Sequence, residues 1–254
     1  MEDQFEVLQE YIKFCELQRK SENTIHQYLA HVEEFLKFMK ERRSLKALSE
    51  IAKVDVYNYL HYIAKEKKNS ISTQRSKIAS IKHFYIFLIE FNIVDVNVAK
   101  DINLPKLNPP VRRYLTLEQV TKIVSSVNSR NKTRDQTILM LFLTTGLRLS
   151  ELVNLNVNDI KTNYLIINGK GNKERVVYLT ENMRHQLQNY LLTRPDIETD
   201  ALFISERGNR IAPNTVRYVV EQALKGANLD MDTEGISVHT LRHTYATINY
   251  QSGN

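Results

Sequence analysis

Apolar residues recur at spacings of three and four through most of the first hundred positions, the period of an amphipathic helix. Phe5, Leu8, Tyr11, Ile12 and Cys15 form one stripe and predict a helix over 4–18. Ser21 to Thr24 breaks the pattern, with Asn23 or Thr24 as the expected N-cap of a second helix over 24–41. That helix carries Ile25, Tyr28, Leu29, Val32, Phe35, Leu36 and Met39 on one face. A third helix is expected near 54–66, with Val56, Tyr57, Leu60 and Ile63 inward, and a fourth near 71–90, with Ile78, Ile81, Tyr85 and Leu88 inward. No strand alternation interrupts them, so residues 1–103 read as an all-α domain whose helices are stabilised mainly by packing on one another.

The period stops at Leu104-Pro-Lys-Leu-Asn-Pro-Pro-Val-Arg-Arg113, which holds three of the five prolines and cannot continue a helix. Residues 104–113 therefore read as an extended basic linker, and 114–254 as a second domain. Thr116 and Gln119 make a capping-box pattern for a helix reaching about Val127. A helix over 133–145 ends at Gly146, the residue type favoured just past a helix end, and a short helix follows near 150–154. Two alternating runs, 164–168 and 175–179, flank Gly169-Lys-Gly-Asn-Lys-Glu174 and predict a β-hairpin. Further helices are expected over 181–193, from Pro213 to about 225, and from His239 to Tyr250.

A chain of 254 residues with 42% hydrophobic content is long enough for two cores and too apolar for disorder. Its single cysteine, Cys15, excludes an internal disulfide and a cysteine-based zinc site, and its place in the first stripe marks it as a buried thiol. The acidic, amphipathic N-terminus is no secretory signal, and no apolar run reaches the roughly 18 residues of a membrane span, so a cytoplasmic protein is expected. Net charge is +6, and residues 65–82 alone hold Lys65, Lys67, Lys68, Arg75, Lys77 and Lys82 against Glu66. From charge alone, a nucleic-acid contact and a solvated helix face are equally good readings of that run.

Four residues of the second domain are placed for chemistry on a phosphodiester. Arg148 follows the helix-ending Gly146 at a sharp corner, Lys170 stands at the hairpin tip, and His239 and Arg242 lie three apart on one helix face. Two arginines can clamp non-bridging phosphate oxygens, a lysine can protonate a leaving oxygen, and a histidine can move or orient a proton. Singly, each also has an ordinary structural reading: a carbonyl contact, a solvated lysine, a helix cap.

The strings TTGLRLSELVNLNVNDI, GKGNKERVVYL and HTLRHTYAT, in this order, resemble the active-site boxes of the tyrosine site-specific recombinases, nearest the Xer-like and phage-integrase branch. KSENTIHQYLAHVEEFLKFM and the segment from Ser72 to Lys106 resemble the same family's helical core-binding domain. The resemblance implies a SAM-like core-binding domain followed by the mainly α integrase/recombinase catalytic fold with a small β-hairpin. It implies Arg148 and Arg242 as phosphate clamps, Lys170 as general acid toward the 5′-oxygen with Lys173 as fallback, and His239 in proton transfer. Glu151 and Asp159 would support them, and Asn23, Thr24, Arg75, Lys77, Lys82, Arg112, Arg113, Lys173 and Arg175 would touch DNA.

The implied activity is site-specific recombination through a 3′-phosphotyrosyl intermediate. Because bond energy is conserved in that intermediate, neither a cofactor nor a metal is expected. The implied partners are a double-stranded recombination site, further copies in a tetramer on two sites, and accessory DNA-bending proteins. Relaxation of the type IB topoisomerase kind and a non-catalytic DNA-binding module, should residue 254 be the natural end, are the alternatives. The family's nucleophilic tyrosine lies beyond the His-x-x-Arg box, so no nucleophile is expected among these residues. Tyr245 is expected to project away from His239, and Tyr250 to lie three turns from it. The 254-residue chain should accordingly give no covalent adduct on a nicked suicide site, and a protein-sized shift of the labelled strand, lost in Tyr245→Phe or Tyr250→Phe, would contradict that.

Overall fold

The computed structural model describes residues 2–44, 47–104, 106, 113–169, 173–229 and 236–251, with the backbone alone for residues 2–5. Contacts divide the chain into two units, Met1–Pro109 and Pro110–Asn254. Residues 105 and 107–112 of the proline-rich segment, Arg112 among them, lie outside the described residues.

The first unit contains α1 (Glu2–Leu17), α2 (Glu22–Arg43), α3 (Lys53–Lys65) and α4 (Ile71–Glu90), with a 3-10 turn at Leu48–Glu50. Its core is unusually aromatic. Tyr11 meets Phe84 edge to face at 5.0 Å between centroids, and Phe35 meets Tyr59 at 5.2 Å, the geometry favoured by ring quadrupoles. Tyr11 Oη and His83 Nδ1 lie 2.9 Å apart, and His83 Nε2 lies 2.9 Å from Gln18 Oε1, which fastens α1 to α4. Cys15 is fully buried, and burial raises its thiol pKa.

Several expectations for this unit need correction. The N-cap of α2 is Ser21, whose hydroxyl accepts from the Thr24 amide at 3.3 Å. Asn23 is exposed in the first turn, and Thr24 Oγ1 is engaged with Ser21 Oγ at 2.8 Å. In α3 it is Tyr59 that turns inward, while Tyr57 is 48% exposed, because the buried face continues from Val56 by three and four. The basic run is not all surface. Lys77 faces the core, and its ammonium donates to both Glu34 carboxylate oxygens at 2.8 and 2.6 Å. Lys82 is half-buried and donates to the Ile102 carbonyl at 3.1 Å. Arg75 is exposed.

The second unit contains α5 (Leu117–Ser125), α6 (Lys132–Thr145), α7 (Leu149–Asn154), a 3-10 turn Val157–Asp159, β1 (Tyr164–Asn168), β2 (Glu174–Tyr178), α8 (Glu181–Thr193), α9 (Pro213–Gly226) and α10 (Val238–Gln251). The capping box at Thr116 forms in both directions, with Gln119 N donating to Thr116 Oγ1 at 3.2 Å and Thr116 N to Gln119 Oε1 at 2.9 Å. Helix α6 is the axis of this unit: Ile138, Leu139, Leu141 and Phe142 are fully buried, and α5, α8, α9 and α10 pack on it. A helix apolar on all sides is one enclosed by neighbours. The strands pair antiparallel from Tyr164 with Tyr178 to Asn168 with Glu174, turning Leu165 and Ile167 into the core.

Replacing Lys77 by alanine should destabilise the protein by about 1–3 kcal/mol, since the partly buried Glu34 loses its partner. Lys65→Ala, at an exposed position, should stay within about 0.5 kcal/mol. Urea denaturation of both variants checks the difference.

Candidate active site

The site begins at the end of α6. Gly146 closes that helix in the left-handed conformation, φ 59°, with its amide donating to Phe142 O at 3.1 Å. Only glycine takes this φ freely, and space imposes a second limit: a Cβ here would run into the Tyr245 ring of α10. Leu147 is then fully buried, and Arg148 becomes the extended N-cap residue of α7. The turn thus aims one arginine from a fixed corner.

Glu151, one turn into α7, binds what surrounds that corner. Its carboxylate accepts from the Arg148 backbone amide at 2.8 Å and from Arg148 Nη1 at 2.8 Å. Arg175 of β2 reaches the same carboxylate as a two-pronged fork, Nη1 to Oε1 and Nη2 to Oε2, both at 2.8 Å. Arg242 of α10 stands 4.0 Å from it and donates to the Gly146 carbonyl. Three guanidinium groups therefore surround one carboxylate. The Glu151 side chain is 4% exposed and that of Arg148 55%, so the acid is sealed while an arginine faces solvent.

Burial on its own would raise the Glu151 pKa, but the bonds from Arg175 and Arg148 outweigh it and hold it at about 2. The Arg242 pKa is lowered, first by burial and then by the neighbouring positive charge of Arg148. The excess positive charge is what a phosphodiester anion would neutralise. A cavity of about 470 Å³ opens beside this cluster, bounded by Gly146, Arg175, Tyr178, Arg242 and Tyr245. A larger cleft of about 920 Å³ runs between α9 and the 126–131 and 205–210 segments, away from the arginines. Arg134 and Arg210 on its wall are engaged with Asp135, the Ile204 carbonyl and the end of α7, and the Glu151 cluster lies beside the smaller cavity.

Of the residues expected from sequence, Arg148, Arg242 and Glu151 are brought together. His239 is exposed in the first turn of α10, one turn before Arg242. Lys170 lies outside the described residues, while Lys173 is described and exposed. Asp159 is not at the cluster. It accepts from the Asn156 amide at 2.8 Å, and Asn156 in turn receives Arg210, which also donates to the Val153 and Leu155 carbonyls at the end of α7. Arg175, expected to meet DNA, is half-buried on Glu151, and Arg113 is exposed. Tyr245 lines the cavity beside Arg242, which stands three residues earlier on the same helical face, while His239 is not among the residues that bound it. Tyr250 is exposed.

The depressed Glu151 pKa has a sign for stability. Its contribution is present above the ordinary carboxylate value of 4.5 and is lost as pH falls toward about 2. Urea midpoints should therefore drop across that window in the wild type and drop less in Glu151→Gln, which should be less stable by about 2 kcal/mol at neutral pH.

Comparison with known proteins agrees with this architecture. Residues 113–254 match the phage integrase family, and residues 7–90 match the phage integrase N-terminal SAM-like domain. The tyrosine recombinase XerC of Caldanaerobacter subterraneus subsp. tengcongensis is 36% identical, over 98% of this chain and 76% of that protein. The crystal structure of XerA recombinase, 28% identical, superposes with a TM-score of 0.51 over 98% of this chain and 85% of that one. A lambda integrase (75–356) dimer bound to a COC′ core site gives a TM-score of 0.76 over 98% of this chain and 90% of that one, and at 18% identity it is similar in fold. The topoisomerase-like and non-catalytic alternatives are not favoured by this company. With family matches on both units and a relative this similar along nearly its whole length, the chain belongs to the phage integrase family, as an Xer-like tyrosine recombinase that carries out site-specific DNA recombination.

Proposed function

We propose that Arg148 and Arg242 hold the scissile phosphate of a duplex recombination site. The observation that carries this reading is their convergence on Glu151 from two distant helices, α7 and α10, beside an open cavity. A tyrosine hydroxyl attacks the phosphorus, the Oη–P bond forms and the P–O5′ bond breaks. The 3′-phosphate stays on the tyrosine, and the Lys170 ammonium gives its proton to the leaving 5′-oxygen. His239, on the α10 face that carries Arg242, orients the phosphate or relays the proton released by the tyrosine. The reverse attack by a 5′-hydroxyl from a partner site completes strand exchange, so the phosphodiester energy is kept throughout.

Each unit would contact the duplex, with Asn23 and Arg75 of the first and Arg113 and Lys173 of the second supplying contacts from exposed positions. Copies of the chain would pair on one site and associate across two. The DNA-bound lambda integrase dimer supports this reading by similarity of fold.

Binding to the cognate site should weaken steeply with salt, on the order of 10³-fold between about 50 and 200 mM if six phosphates are contacted. A footprint unchanged over that range would contradict the DNA reading. In the recombinase, Arg148→Ala and Arg242→Ala should each slow cleavage by on the order of 10²–10³ while leaving site binding largely intact, because each removes a preorganised donor to the developing phosphoryl charge.

A further inference from the structure

We propose that Arg175 is a positioning residue that registers the lysine-bearing hairpin against the arginine corner. The inference rests on the reading of Lys170 as general acid. Glu151 offers two carboxylate oxygens, and Arg175 takes both with a planar fork, at 2.8 Å each. A fork of this kind fixes orientation as well as distance, which an ammonium in its place would not. The same two oxygens hold the backbone and side chain of Arg148.

The fork acts at the root of the hairpin loop. Arg175 stands opposite Ile167 in the strand register, and Ile167 is buried, which keeps that face of the hairpin against the body of the unit. Gly169 N donates to Lys173 O at 2.9 Å, so the two described ends of the loop are tied together. A Cβ on Gly169 would come within 3.7 Å of Arg175 Nη1 and 3.9 Å of Glu151 Oε1. The guanidinium therefore passes beneath Gly169, the residue immediately before Lys170, and both strands rest on the Arg175–Glu151 pair at the point where the loop departs. Among the described residues this is the ionic link between the hairpin and α7, and its other end is Arg148. A displacement of the hairpin would move the acid relative to the clamp, and an error of about 1 Å in such an arrangement costs on the order of 10²-fold in rate.

The alternative roles of Arg175 are a direct ligand of the phosphate and a purely structural ion pair. A leaving group that needs no proton separates them. Single-turnover cleavage by the recombinase should be measured on two suicide sites, one with the natural 5′-bridging oxygen and one with sulfur, where the P–S bond breaks and a thiolate leaves unprotonated. On oxygen, Arg175→Ala should be slower by on the order of 10²-fold, and on sulfur it should recover to near the wild-type rate, as Lys170→Ala should. Arg175→Lys keeps the charge without the fork, and it should show a smaller loss with the same recovery. This variant decides the matter if Arg175→Ala does not fold. Arg148→Ala should be slow on both substrates. An Arg175 variant slow on both in the manner of Arg148→Ala, or one at the wild-type rate on oxygen, would overturn the inference while Lys170→Ala still recovers. A Lys170→Ala enzyme that sulfur does not rescue would remove the general-acid reading, and this inference with it.

Discussion

Glu151 is almost sealed from water and stays ionised because Arg175 of β2 and Arg148 at the start of α7 donate to it, with Arg242 of α10 standing 4.0 Å away. Without it, Arg148, Arg175 and Arg242 would face one another as like charges at short range, and burial already works against Arg242. The carboxylate screens them just enough. It neutralises one positive charge and leaves the remainder concentrated at a solvent-facing corner. Removing an ion from such a cluster costs more than its pairwise attraction, because every group left behind was desolvated on the assumption that its partners were present.

The rest of the second unit brings those groups within reach of one acid. Helix α6 is buried along most of its length, with four helices packed on it, so its last turn is held against the core. Its last turn hands directly to Gly146, and the carbonyl of that glycine receives Arg242 while its missing side chain admits Tyr245. Two side chains of α10, Arg242 and Tyr245, are therefore seated directly on the backbone of the turn that aims Arg148, which ties the two proposed clamps to one point of the chain. At the far end of α7, Arg210 ties down three acceptors of the exit turn, so the short helix is held at both ends.

Much of this was legible from local pattern. The helix positions, the capping box at Thr116, the glycine stop at 146 and the hairpin all follow from near-neighbour spacing, and the structure reproduces them within a residue or two. What misled was long-range pairing. Lys77 looks like one cation among six in a basic run until Glu34 of another helix is set against it. Arg175 looks like a surface residue of an alternating strand until α7 is placed beneath it. Tyr59 and Tyr57 are interchangeable by a loose period, and strict spacing from Val56 separates them by turning Tyr59 onto the rings of Phe35 and Phe38. Spacing shows that Arg148 and Arg242 are each well placed but not that they meet, and only the resemblance to a family joins them. For Lys170, placement at a hairpin tip and the resemblance are the grounds, since it lies outside the described residues.

The members of the Glu151 cluster all come from residues 146–242, inside one compact unit with its own core. No group from the first unit is needed to assemble it. The cluster is in that sense a cartridge, its geometry fixed and its surplus positive charge in place within a single unit. A substitution in the helical unit would remove none of its contacts, so that unit can vary in sequence without disturbing the cluster.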